Sequence, residues 1–368
     1  VIFEGIGMVD VNVPLPQGSD GVRSCNAAKQ GAASAGQGAG ARHQSWSNAR
    51  RTFAALDLGT NNCRLLIARP AGENGFTIID AFSRIVRLGE GLAGSGRLSD
   101  AAIDRAMSAL TVCADKLVRR GVHLSRAVAT EACRRAENGQ DFVDRVYRET
   151  GIALDIIGAG EEAKLAVAGC HALLEPGDGP ALIFDIGGGS TELVRVEQGA
   201  EAPRIVAWRS VPWGVVSLSE VEPHDASDRE GRLAAYDRMR GRFAEAIADF
   251  VAPETIAEPS KLRLLGTSGT VTTLASVHLG LNVYDRRAVD GLRVPSDSLR
   301  AISASLAGQS VAERARVACI GTERADLVVA GCAILDAILD IWPAPRVGIA
   351  DRGIREGILR ALISSSAR

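Results

Sequence analysis

The chain has 368 residues, of which 46% are hydrophobic and only 4% aromatic, and its formal net charge is −2. That length allows two domains of roughly 100–200 residues each, and the balance of charge argues against a general nucleic-acid binder, which needs an excess of Lys and Arg. No apolar run approaches the roughly 20 residues that span a bilayer. The seven cysteines (Cys25, Cys63, Cys113, Cys133, Cys170, Cys319, Cys332) are scattered and lack C-x-x-C spacing. They read as buried thiols in a reducing compartment, so the expected location is cytoplasmic.

Residues 1–51 are small, polar and aperiodic and are expected to form a disordered tail. Order is expected from "FAALDLGTNNCRLLIARP", where an apolar run ends in Asp57, turns at a glycine and returns as a second strand. After strand-like runs in "FTIIDAFSRIVRLGEGL", Ser99 caps a helix with Ile103, Met107, Leu110, Ala114 and Leu117 at helical spacing. "RAVAT" reads as a buried strand, "DFVDRVYRETG" as a helix ending at Gly151, and "ALDII" as a strand. A boundary is expected near Pro176–Pro180, giving domains over 52–176 and 177–368, with the C-terminal helix free to pack back on the first.

The second half repeats the alternation. "ALIFDIGGGSTELVRV" is followed by the strand "PRIVAWRSV", a long helix from about Asp228 to Phe250, the strand "KLRLLG", the helix "VTTLASVHLG" and a mostly apolar helix over Glu323 to Ile341. Such alternation argues for sheets covered by helices. "ALDLGTNNCRLLI" lies over "IFDIGGGSTELVR" without a gap, matching Asp57 to Asp185, Gly59 to Gly187 and Arg64 to Glu192. We read this as an internal duplication whose two aspartate turns face one cleft, chance matching of short motifs being the competing reading.

Glycine turns let backbone amides approach an anion closely. Flanking carboxylates suit a phosphate that arrives with Mg²⁺ or Mn²⁺, although an ordinary glycine-rich hairpin has the same composition. In "LLGTSGTVTTLA", Gly266, Thr267, Ser268, Gly269 and Thr270 join a strand to a helix N-terminus, which is either an anion site or a plain capped turn. Glu161 and Glu162 open the helix of "GAGEEAKLAVAGCHALL". They complement its dipole, or one of them is a general base. Arg134, Arg352 and Arg355 stand beside turns, as surface charges or as bidentate grips on phosphate.

Together with "VRLGEGL", "ATEACRRA", "ERADLVVAGCAIL" and "ADRGIREGIL", these motifs occur in the order seen in the exopolyphosphatase / guanosine pentaphosphate phosphohydrolase (Ppx/GppA) family, which the chain resembles from about Phe53 to Leu362. The resemblance implies an α/β fold of two duplicated actin-like domains around a cleft. It implies Glu162 as catalytic base, with Asp185 and Glu192 positioning water and metal, and Asp57 completing the metal set. It makes Gly59, Thr60, Asn61, Asn62, Arg87, Thr130, Arg134, Gly187, Gly188, Gly189, Ser190, Thr191, the Gly266–Thr270 turn and Arg355 the phosphate-binding residues. Asn62 stands where a serine is usual. The expected substrates are inorganic polyphosphate, short chains favoured because the chain resembles the short two-domain form, and guanosine pentaphosphate. No nucleic-acid or membrane partner is expected, and the expected assembly is a homodimer. A non-catalytic sensor of guanosine phosphates and an actin-like metabolite kinase are the alternatives.

Overall fold

The computed structural model describes residues 51–72, 75–197, 199, 203–250 and 261–366. The expected tail over 1–51 lies outside the described residues apart from Arg51. Counting helices of five residues or more, the order begins β1 (Phe53–Leu58), β2 (Asn62–Ala71), β3 (Gly75–Ile85), α1 (Asp100–Arg119), β4 (Leu124–Ala129), α2 (Glu131–Arg135), α3 (Gly139–Thr150), β5 (Leu154–Ile156) and α4 (Ala159–Cys170). It continues with β6 (Ala181–Ile186), β7 (Thr191–Glu197), β8 (Arg204–Val211), α5 (Val215–Val221), α6 (Arg229–Ile247), β9 (Arg263–Thr267) and α7 (Ser268–His278). Last come β10 (Arg293–Pro295), α8 (Ser296–Ala307), α9 (Val328–Ile341), β11 (Arg346–Ala350) and α10 (Ile354–Ser366).

Two mixed sheets result, in the orders β3-β2-β1-β4-β5 and β10-β11-β9-β6-β7-β8. In each, a central strand pairs antiparallel with the next strand and parallel with a later one: β1 with β2 and β4, β6 with β7 and β9. Central strands covered on both faces read as apolar runs without alternation; all six residues of "ALIFDI" in β6 are buried. The duplication holds at the level of register. Asp57 lies opposite Arg64, and Asp185 lies opposite Glu192.

Local signals explain some of the helix ends. The Ser99 hydroxyl accepts from the Ala102 amide at the start of α1, and Asp228 caps α6 in the same way. Gly151 closes α3 at φ 72°, a conformation that costs glycine little. The apolar helix expected from Glu323 begins only at Val328. The residues before it turn instead, with Arg324 donating to Thr273 and Asp326 pairing with Arg87.

One face of the first sheet packs on α1 and α3 through Leu56, Leu65, Met107, Leu110 and Phe142. The second sheet packs on α6, α7 and α9 around Phe184, Phe243 and Leu335. Between the sheets lies α4. Its Leu165 and Ala166 join Phe53 and Leu66 of the first sheet, while Ala163 and Val167 join Ile183 and Leu265 of the second. The last helix, α10, returns to the first sheet and seats Ile358, Leu359 and Leu362 on Phe53, Ala55 and Val128. It crosses α4 in backbone contact: a Cβ on Gly169 would stand 1.9 Å from the Gly353 oxygen, and one on Gly357 2.1 Å from the Leu165 oxygen. Among the described residues, the six cysteines are free thiols, five of them buried. No helix of these residues is long and apolar enough to cross a membrane.

Candidate active site

The two aspartate turns meet. In the first, the Gly59 amide donates to the Asn62 carbonyl; in the second, Gly187 donates to Ser190, the same bond at the matching positions. The segment after β3 braces the first turn through Val86 and Gly89 amides on Asn61 and Thr60 carbonyls, and α5 braces the second through Val215 and Val216 on Gly187 and Gly188. A Cβ on Gly188 would lie 3.0 Å from the Asn61 amide nitrogen, and one on Gly189 2.6 Å from the Thr60 hydroxyl. The run of three glycines therefore also serves contact between the turns, a use beyond approach to a phosphate.

A narrow cleft of about 70 Å³ opens at this junction. Its walls hold Asp57, Gly59, Thr60, Asn61 and Asn62 from the first turn, and Asp185, Gly187, Gly188, Gly189, Ser190 and Glu192 from the second. Thr130, Glu162, Thr267, Ser268 and Arg355 complete the expected residues that face it.

Six expected phosphate-binding residues do not line the cleft. Thr191 is buried, its hydroxyl donating to the Trp213 carbonyl. Gly266 sits under the Phe184 ring, and Thr270 is packed against Gly331. Gly269 faces the Arg64 guanidinium at 3.8 Å, measured to an ideal Cβ. Arg134 stands behind Glu162, donating to its carboxylate at 3.1 Å, to the Ile157 carbonyl at 2.7 Å and to Glu131. Arg87, held at φ 47°, is turned to the second sheet's side and grips Asp326 with both terminal nitrogens, at 2.7 and 3.1 Å. A partner in range outcompetes the cleft for this side chain.

The electrostatics set four buried or part-buried acids against a few arginines. Glu162 is buried in the first turn of α4, and desolvation, then the nearby Glu192, pushes its carboxyl well above the usual range against the pull of Arg134. Burial raises Asp185 to about 6, opposed by the nearby Ser268, which is held in the left-handed region at φ 79°. Burial and the Asp185 charge raise Glu192 to about 7, although one of its oxygens accepts from the Ser190 and Ser210 hydroxyls, each at 2.8 Å. Asp57 is raised by burial and held down by Arg64 and Arg355.

Among the described residues no group of three or more His, Cys, Asp or Glu side chains is placed to hold a metal ion. Two serine hydroxyls occupy one oxygen of Glu192. The buried Oδ1 atoms of Asp57 and Asp185, by contrast, have no hydrogen-bond partner, an arrangement that is costly unless a cation or water completes it. Two carboxylates with the remaining positions left to water and phosphate oxygens suit Mg²⁺. Glu161, the neighbour of Glu162, points away and pairs with Arg126 at 2.6 Å.

Sequence reasoning missed Arg64, Glu131, Asp351 and Gly353, which also face the cleft. Arg64 has no hydrogen-bond or ion-pair partner among the described residues, so its charge is directed at the cavity. The signal for it was present, since the duplication sets Arg64 over Glu192.

A profile of the Ppx/GppA phosphatase family matches residues 66–366. Exopolyphosphatase 2 of Mycobacterium tuberculosis is 32% identical over 77% of this chain and 89% of its own length. A guanosine-5'-triphosphate,3'-diphosphate pyrophosphatase of Aeromonas salmonicida is 28% identical over 85% of this chain and 60% of that longer protein. The crystal structure of the Ppx/GppA family member from Aquifex aeolicus superposes with a TM-score of 0.70 at 26% identity, covering 86% of this chain and 99% of that one. The fold is accordingly the actin-like α/β type, and the chain belongs to the Ppx/GppA phosphatase family.

Proposed function

We propose that this family hydrolase cleaves the terminal phosphoanhydride bond of inorganic polyphosphate or guanosine pentaphosphate and releases orthophosphate. One observation carries the reading: a buried glutamate, Glu162, faces the junction of two amide-rich turns and is held from behind by Arg134. Burial, then the nearby Glu192, raises its pKa, which makes the carboxylate a stronger base than an exposed one. A water bound between Glu162 and the turns gives its proton to the carboxylate as its oxygen attacks the terminal phosphorus, and the bridging oxygen leaves with the shortened chain. Arg64 and Arg355 face the same space and offset the charge of the phosphate oxygens. Asp57 and Asp185 would hold a divalent cation, Mg²⁺ or Mn²⁺, which would neutralise further phosphate charge.

Orthophosphate release on tripolyphosphate, long-chain polyphosphate and guanosine pentaphosphate, for wild type and Glu162→Gln, tests the reading. Release abolished by the substitution supports it. Tight binding of guanosine phosphates with no release from any substrate replaces it with a sensor.

A further inference from the structure

The cleft is lined almost wholly by polar and charged side chains and glycines. That lining suits phosphate groups and offers an aromatic base no apolar surface. The segment between α7 and Asp290 reaches two cleft-lining residues that follow β11, Asp351 and Arg352. It is pinned to the cleft-lining end of β11: Arg286 pairs with Asp351 at 3.1 Å and with Glu356 at 2.8 Å, and Arg352 pairs with Asp290 at 2.7 Å. Tyr284, two residues before Arg286, lies within electrostatic reach of Asp351 and Arg64. Yet Tyr284 is 42% exposed, Val283 79% and Leu279 39%. The exposed Tyr284 ring, flanked by Val283, thus stands near a phosphate cleft whose lining includes the unpaired Arg64.

We propose that Tyr284, flanked by Val283, is a platform on which the purine base of a guanosine phosphate stacks while its phosphates enter past Arg64. Tyr284 is then a specificity-determining residue, since an inorganic chain has no base to offer it. The proposal rests on the hydrolase reading above and deepens it by choosing between its two substrates.

The test compares kcat/KM for guanosine pentaphosphate with that for tripolyphosphate in wild type, Tyr284→Ala and Tyr284→Phe. Removing one base–aromatic stack weakens binding by roughly 5- to 100-fold. The pentaphosphate-to-tripolyphosphate ratio should fall by that factor in Tyr284→Ala, through KM, and stay near wild type in Tyr284→Phe, which keeps the ring. An unchanged ratio in Tyr284→Ala overturns the platform, as does a Tyr284→Phe variant that behaves like Tyr284→Ala. Wild type that cleaves tripolyphosphate but neither cleaves nor binds the pentaphosphate overturns the platform and spares the hydrolase reading. If wild type cleaves neither, the hydrolase reading falls, and calorimetric binding of guanosine tetraphosphate to wild type and Tyr284→Ala decides the platform by the same factor.

Discussion

Gly357→Ala should damage catalysis from outside the cleft. Gly357 lies where α10 crosses α4, and its added methyl would stand 2.1 Å from the Leu165 carbonyl oxygen and 2.9 Å from its carbon. That carbonyl belongs to a helix backbone and cannot swing aside. To restore an ordinary contact the helices must part by at least about 1 Å. Overpacking of this kind costs about 1–3 kcal/mol. Glu162 lies one turn before Leu165 on α4, and Arg355 two residues before Gly357 on α10. Parting the helices therefore alters the spacing of a proposed base and a proposed phosphate ligand, and a ~1 Å misplacement can cost on the order of 10²-fold in rate. The assay is kcat on tripolyphosphate beside the thermal midpoint. Gly241→Ala serves as control, because nothing lies within 4 Å of its Cβ position on α6 and the change should stabilise by about 0.5–1 kcal/mol. A Gly357→Ala variant with a lowered midpoint but full kcat would refute the claim that the crossing sets the site.

Glu162→Gln should lower turnover by roughly two to four orders of magnitude, whereas Glu161→Gln should cost less than about 1 kcal/mol of stability and little activity, because it loses only a surface pair; equal small effects would remove Glu162 as base. Phosphate release should require Mg²⁺ or Mn²⁺, and full activity in excess chelator would exclude a cation at Asp57 and Asp185. Asp80 is held at about 2 by hydrogen bonds from Lys116 and Arg120, below its ordinary 3.8, so its stabilisation is present above that ordinary value and lost as pH falls through about 2. Asp80→Asn should therefore lower urea stability near neutral pH, by no more than ~1 kcal/mol after solvent screening of its partners, with the deficit closing in strong acid; a deficit that persists there would point to packing instead.

Much of the architecture was legible because short-range rules and long-range packing agree. The strand–turn–strand match placed Asp57 and Asp185 at equivalent points, and the equal registers opposite Arg64 and Glu192 follow from it. Ser99 and Gly151 marked helix ends through chemistry that acts within a few residues. What stayed hidden depends on partners far along the chain. Arg87 meets Asp326, a residue 239 positions away, and nothing local announces that competition. Gly266 and Thr270 have the composition of a phosphate loop, but their neighbours are Phe184 and Gly331. For Glu192 the local sequence shows Ser190 but not Ser210 of β8, which donates to the same carboxylate oxygen.

The return of α10 to the first sheet has a consequence for synthesis on the ribosome. Phe53, Ala55, Leu66 and Val128 emerge early, but the side chains of α10 that cover them, Ile358, Leu359 and Leu362, are made only after the whole second sheet. At about 5–20 residues per second, that apolar face of the nascent sheet waits roughly 15–60 s for its cover. Emergence of α10, more than completion of the first half, is then the event that closes the N-terminal unit. A chaperone bound to the nascent chain would have this face as its natural target.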